Sequence, residues 1–288
     1  MKLIWIFLIV VFIYAVLSYL LAPKLLFKSS FGEGVYLTQP TRMDSPIWWQ
    51  EIKGSDNAKF SWPIKLQGER GLLQMIVNHE EINTHIENRI EGVMGEDNRP
   101  INALHQIVRK KEHEWTQDPY VVYTKDKEQK KLYMRYSLKF PENLSELLGE
   151  EGWLAFCEYK TKSDYRLAYY IYTDQDKKLY WYVHGDNVVV DDVPYKEYWF
   201  KENRSTAVPV GQWFTVEIFW DRSVNDDGRV WLAIDGQVVI DYKGKTKKRE
   251  PIHEIMLFTN YSKHPIEQWV SNIELWDDFP CGRGKSCY

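Results

Sequence analysis

The chain has 288 residues, 44% of them apolar and 15% aromatic, with 37 basic against 41 acidic side chains. This excludes a disordered polypeptide, which lacks the apolar surface to offset its ordering entropy. Three of the bases, Lys2, Lys24 and Lys28, lie in residues 1–28, which hold no acid; residues 29–288 therefore carry 34 bases against 41 acids, a balance of −7. That balance argues against a nucleic-acid binder and against a domain lying flat on anionic lipid, both of which need a basic footprint.

Residues 3–22 read LIWIFLIVVFIYAVLSYLLA, a run without a charge. At ~1.5 Å per residue such a helix crosses the ~30 Å hydrocarbon core of a bilayer. Trp5 and Tyr19 sit near its ends, where aromatic rings favour the interface. A cleaved signal peptide is the alternative, but its apolar region is shorter, about 7–15 residues, and ends at a small-x-small site. Here the sole candidate, Ala22, is flanked by Leu21 and Pro23. Residues 1–28 are accordingly read as an uncleaved membrane anchor. Lysines on both sides of the span leave its orientation open.

Residues 29–70, punctuated by Gly32, Gly34, Pro40, Pro46 and Pro63, are expected to be an irregular linker or strap. From residue 71 to 280, short runs alternate with period two between turn signals, the pattern of a β-sandwich or barrel. Strands are expected at 71–79, 85–93, 103–109, 131–140, 153–161, 165–173, 178–184, 213–221, 229–234, 237–242, 252–260 and 268–276. Asp226-Asp227-Gly228 and Asp235-Gly236 are hairpin signals. One short helix is expected at 143–148, started by Asn143 and stopped by Gly149. The run from Lys243 to Arg249 reads as a solvated hairpin, with anion binding as the other reading.

Of the three cysteines, Cys157 falls inside an apolar strand and reads as a core residue. Cys281 and Cys287 bracket the tail 281–288, with Gly282 and Gly284 between them. They read equally as a small disulfide loop, which implies an oxidising compartment, or as two free thiols on a frayed end. The domain is expected outside the cytoplasm, periplasmic or extracellular.

Alternation assigns each side chain to a face. Over 213–221 the core set is Phe214, Val216, Ile218 and Trp220, and the opposite set includes Glu217. Other strands present Arg89 with Glu91, Arg135, Glu158 with Lys160, Arg166 with Tyr170, and Tyr182 with His184. A merely solvated sheet shows Lys, Glu, Thr and Ser. A face of Tyr, Arg, Glu and His suits a sugar, whose apolar ring faces lie on aromatics while its hydroxyls or carboxylates meet planar charged groups. A ladder of cross-strand ion pairs is the plainer alternative.

The stretch from Val210-Gly211-Gln212-Trp213 to Trp220, the hairpin from Asp227-Gly228 to Asp241, and the closing strand Gln268 to Trp276 resemble the concanavalin A-like lectin/glucanase superfamily, nearest to the jelly-roll polysaccharide lyases of the heparin lyase I, glucuronan lyase and family 7 alginate lyase type. The resemblance covers roughly residues 205–280 and is vague before them. It implies an all-β, two-sheet antiparallel jelly-roll sandwich behind the N-terminal transmembrane helix, acting by β-elimination on a uronic-acid polysaccharide. In such lyases an Arg, Asn or Gln neutralises the uronate, a His or Tyr takes the C5 proton, and a Tyr protonates the leaving oxygen. Glu87-Asn88-Arg89-Ile90-Glu91 and Phe156-Cys157-Glu158-Tyr159-Lys160 stand where the family's motif strands would fall, and both depart from the motifs. Carried over, Arg89 binds the carboxylate and Tyr182 or His184 exchanges the proton. Lys160 and Arg166 hold neighbouring sugars, and Glu91, Arg135, Glu158, Tyr170 and Glu217 line the floor. This reading requires Arg89, Lys160, Tyr182 and His184 to converge.

A glycan-binding module that has lost its acid/base pair, or a structural envelope protein, are the alternatives. Hydrolysis needs paired carboxylates. Glu87 and Glu91 stand ~13 Å apart along a strand, too far to cooperate, whereas Glu158 with Glu217 across strands stays open. The seven histidines show no ligand spacing on one element, so no metal site is expected. No cofactor is expected either. Asp277 and Asp278 supply oxygens for a structural calcium, although a polar turn before Pro280 explains them as well. The expected partners are a polysaccharide and, through the anchor, a membrane.

Overall fold

Period-two runs become strands when they can bury one face. A computed structural model describes residues 22–280 except 45, 67, 115, 125–128 and 188–193. In chain order the strands are β1 (Leu25–Ser29), β2 (Val35–Leu37), β3 (Thr41–Asp44), β4 (Ile47–Gln50), β5 (Ile52–Gly54), β6 (Lys65–Leu66), β7 (Glu69–Ile76), β8 (Ile86–Met94), β9 (Pro100–Val108), β10 (Asp118–Tyr123), β11 (Lys131–Lys139), β12 (Trp153–Lys160), β13 (Arg166–Thr173), β14 (Leu179–Asp186), β15 (Glu197–Asn203), β16 (Trp213–Asp221), β17 (Gly228–Ile234), β18 (Gln237–Gly244), β19 (Glu254–Ser262) and β20 (Glu267–Trp276). One short helix, α1 (Leu144–Leu148), separates β11 from β12. Gly149 ends it at φ 70°, while the Asn143 side chain makes no cap bond.

Two antiparallel sheets stack face to face. The first runs β18-β17-β16-β11-β20-β9-β8, with β1 beside the second half of β20. The second runs β15-β14-β13-β12-β19-β10-β7-β4-β3, with β6 against β7, and β2 and β5 form a separate ribbon. The all-β sandwich is therefore as the sequence implies. Among the described residues no helix is long and apolar enough to cross a membrane. The expected span at 3–22 lies outside the described residues save Ala22, and the Cys281–Cys287 pair lies outside them entirely.

All twelve expected strands form within a few residues of their expected bounds. The β17–β18 turn has Asp235 and Gly236 at φ 47° and 77°, both in the left-handed region that this tight reversal requires. The difference lies in 29–70, which holds several short strands instead of an irregular strap. Strands of two to four residues are too short to show an alternation. Strands β10 and β15 were also not visible in the sequence. The first is buried on nearly every residue and the second is half-exposed throughout, so neither alternates.

Phe214, Val216, Ile218 and Trp220 from β16 meet Leu154, Phe156, Leu167, Ile171 and Trp181 of the second sheet in one core. Each such buried side chain contributes about 1.5–3 kcal/mol. Cys157 lies in that core, where burial pushes its thiol well up.

A polar cluster that includes Asp118 and Gln106 is buried where the sheets meet. Asp118 is wholly buried; Asn88 Nδ2 donates to its Oδ1 at 3.3 Å, and Oδ2 meets no donor. Gln106 donates to its backbone carbonyl at 2.7 Å. Burial pushes the Asp118 carboxyl up to about 7. The folded state thus keeps a proton between pH 4 and 7 that the unfolded chain releases, and stability falls as pH rises through that window. Asp118→Asn should remove the effect, with a gain on the order of a few kcal/mol at pH 7.5 that vanishes near pH 4. Urea midpoints measured across this range check it, and parallel pH profiles for the two proteins would refute it.

Candidate functional site

Strands β12, β13 and β14 are neighbours in the second sheet, and their register places side chains of one face directly opposite one another. Ala155 pairs with Tyr170 and Tyr170 with Tyr182, Glu158 with Ala168 and Ala168 with His184, and Lys160 with Arg166 and Arg166 with Asp186. A bulge in β12 between Ala155 and Cys157 makes this possible. Phe156 and Cys157 both enter the core, so Trp153 before the bulge and Glu158 and Lys160 after it share the outer face.

That outer face carries its own apolar cluster, separate from the core. Ala155, Ala168 and Tyr170 form its floor, with Trp153, Tyr172, Tyr182 and Tyr261 packed around it. The rings form a connected series. Trp153 lies 4.8 Å from Tyr261 and 5.9 Å from Tyr170, and Tyr172 lies 5.0 Å from Tyr182 and 5.9 Å from Tyr180. Phe200 of β15 stacks on Tyr182 at 5.6 Å and is half exposed. Small residues beneath large ones let the rings tilt over the sheet, leaving aromatic surface open to a ligand.

A chain of polar groups runs beside these rings. Arg166 holds Asp186 through two bonds, Nε–Oδ1 at 3.0 Å and Nη2–Oδ2 at 2.7 Å, and Asp186 is wholly buried. His184 Nε2 stands 3.7 Å from Asp186, and its Nδ1 lies 3.1 Å from Glu197 Oε2. Tyr182 donates its hydroxyl to the same oxygen at 2.7 Å, and Tyr195 does so at 3.4 Å. Burial and the bond to Glu197 hold the Tyr182 phenol well above its ordinary range. Burial likewise pushes Tyr172 and Tyr261 up to about 12. A phenol kept protonated in this way donates hydrogen bonds and does not accept a proton. His184 is 4% exposed, so it positions Glu197 and is not open to a ligand.

Lys160, Tyr182, His184, Glu158, Arg166 and Tyr170 therefore share one face, as expected of them. Arg89 does not join them. It stands on β8, the edge strand of the first sheet, paired with Glu87. Glu91, on the same strand, takes a hydrogen bond from Trp269 at 3.0 Å and stands 2.9 Å from His105 Nδ1. Arg135, also in the first sheet, lines a depression of about 340 Å³ with Lys28, Asp56 and Glu274. Glu217 is wholly buried on the outer side of the first sheet, taking the Tyr133 hydroxyl at 2.6 Å beside a cluster in which Phe279 packs on Tyr133, Phe219 and Trp231. Glu158 and Glu217 thus belong to opposite sheets and cannot flank one glycosidic bond. Alternation tells inward from outward, but it does not tell which sheet a strand joins, and this separates the two groups.

Sequence reasoning missed Asp186, Glu197, Tyr195 and Phe200. Asp186 ends β14 in register with Arg166, which pairing alone reveals. The others come from β15 or its approach, where no alternation marks a face.

No protein-family model and no curated protein matches the chain. Among solved structures it is similar to alginate lyase Aly36B in complex with alginate trisaccharide, at 14% identity over 60% of this chain and 80% of that one, TM-score 0.41. It is also similar to an endo-β-1,4-glucuronan lyase from the fungus Trichoderma reesei, at 8% identity over 66% and 87%, TM-score 0.44. The carbohydrate recognition domain of Emp47p is 7% identical over 90% and 95%, TM-score 0.38. Likeness at this level carries no argument about this chain's chemistry or substrate.

Asp186→Asn strands the Arg166 guanidinium on a largely covered face and should destabilise the fold by about 3 kcal/mol, whereas Arg166→Met combined with Asp186→Leu should recover most of the loss. Urea unfolding of the three variants reads this, and a single-variant loss below about 1 kcal/mol would show the pair to be inessential.

Proposed function

We propose that this protein binds carbohydrate on the outer face of its second sheet, and that the apolar segment at 3–22 tethers this domain to a membrane, outside the cytoplasm. One observation carries the binding reading: six partly or half-exposed aromatic rings, Trp153, Tyr172, Tyr180, Tyr182, Phe200 and Tyr261, line a single face above the buried Tyr170, apart from the core. Rings so placed cover the apolar faces of successive sugars, and Glu197, Tyr195 and Tyr182 meet their hydroxyls.

The charges on this face favour a neutral, hydroxyl-rich glycan over a polyuronate. Arg166 is held by Asp186, Lys160 by Glu254 at 3.4 Å, and Arg204, stacked over Tyr180, by Glu202 at 3.1 Å. Lys111 beside Tyr261 is held by three backbone carbonyls. Each of these cations is already engaged, while Glu197, which meets no Lys or Arg side chain in these contacts, would repel an added carboxylate. A second reading, β-elimination on a uronate polymer, rests on the sequence resemblance to polysaccharide lyases; the burial of His184 and the engagement of Arg166 by Asp186 weigh against it.

Phe200→Ala and Tyr182→Ala should each weaken binding to a neutral polysaccharide about tenfold, the worth of one aromatic contact, with little change in thermal midpoint for the half-exposed Phe200. Calorimetry on a panel of neutral and uronate polysaccharides checks this, and a failure to bind any of them would end the carbohydrate reading. Ultraviolet absorbance from unsaturated uronate, lost in Tyr182→Phe, would favour the lyase over the binding module.

A further inference from the structure

Away from the aromatic face, the fold gathers two histidines and a glutamate from three separate segments. His79 follows β7, His85 closes a single 3-10 turn at Ile82–Thr84, and Glu112 follows β9. The pairing of Ile86 with Val108 brings the exit of β9 back beside His85, and the Arg109 amide donates to the His85 carbonyl at 2.7 Å. Trp48 Nε1 donates to the His79 carbonyl at 3.1 Å. One ligand atom from each of His79, His85 and Glu112 lies within 4.8 Å of the other two, and the imidazole rings are 4.2 Å apart.

The hydrogen bonds fix which atoms face each other. The Thr84 hydroxyl has one hydrogen and donates it to the Glu81 carbonyl at 2.8 Å. At 2.7 Å from His85 Nδ1 the same oxygen must therefore accept, so Nδ1 carries the proton. His85 Nε2 then turns a lone pair toward Glu112 Oε1 at 3.5 Å. Two acceptors placed so do not attract. A cation shared between them, or a second proton on His85, turns the contact favourable.

We propose that His79, His85 and Glu112 form a binding site for a divalent metal ion of the zinc type. Two imidazoles and a carboxylate are donors of that class, whereas calcium and magnesium take oxygen ligands throughout. Donor atoms around a tetrahedral zinc with bonds of ~2.0–2.2 Å stand ~3.3 Å apart, so the widest separation here closes by roughly 1.5 Å. His85 is the fixed member, 7% exposed and oriented by Thr84 in the manner of an outer-shell partner. Glu112 is a surface side chain and His79 is half-buried, so both have room to adjust. The Glu81 amide donates to His79 Nδ1 at 3.0 Å, a bond that a metal at that nitrogen replaces. Three protein ligands leave a further position for water or a small ligand.

The test uses the tag-free full chain in detergent, stripped with a chelator and titrated with Zn²⁺ by calorimetry and with Co²⁺ by visible absorption. About one equivalent should bind, with the visible bands of a low-coordinate cobalt centre. His79→Ala and Glu112→Gln change side chains that are not part of the core, and each should lower affinity about tenfold or more, since loss even of an outer-shell partner has that effect. A Cys281→Ser/Cys287→Ser variant should bind as the parent does. No binding by the parent, or undiminished binding by His79→Ala and Glu112→Gln with unchanged circular dichroism, would overturn the site.

Discussion

The outer face of the second sheet depends on one extra residue in β12. Strict alternation continued from Trp153 and Ala155 would send Glu158 and Lys160 into the core, where unpaired charges are expensive. The bulge between Ala155 and Cys157 places Phe156 and Cys157 together in the interior and returns both charged side chains to the surface that Trp153 already occupies. Strand β19, which β12 pairs with on its other side, shows a matching irregularity, so the aromatic and charged stretches of that face stay in line.

Once these side chains share a surface, electrostatics orders them. Asp186 is fully covered and is satisfied by Arg166 in a two-bond contact. His184 bridges from that pair to Glu197, and Glu197 gathers Tyr182 and Tyr195. The network joins the rim of the aromatic surface through paired and hydrogen-bonded groups.

The two outer faces of the sandwich differ for a packing reason. On the first sheet, Phe279 packs on Tyr133, Phe219 and Trp231, and Glu217 sits buried under Tyr133. That patch is a small apolar cluster of its own, separate from the core between the sheets and covered by Phe279. On the second sheet, small Ala155 and Ala168 lie under tyrosines whose neighbours are polar, and Phe200 remains half exposed.

Much of the architecture was legible in the residues alone. The period-two pattern of β16, the Asp235-Gly236 reversal and the Gly149 stop are local, and local sterics suffice to decide them. The grouping of Glu158 with Lys160 and of Tyr182 with His184 was legible for the same reason, because side chains two apart on a strand must share a face. The tertiary structure alone decided which strands became neighbours. Arg89 and Glu217 carry the same outward signal as Tyr182, yet they lie on the other sheet, and Glu197 and the His79–His85–Glu112 trio emerge only when distant segments pair. Alternation is a property of one strand, whereas sheet membership follows from how all the strands together bury their apolar faces, and no single stretch of sequence contains that information.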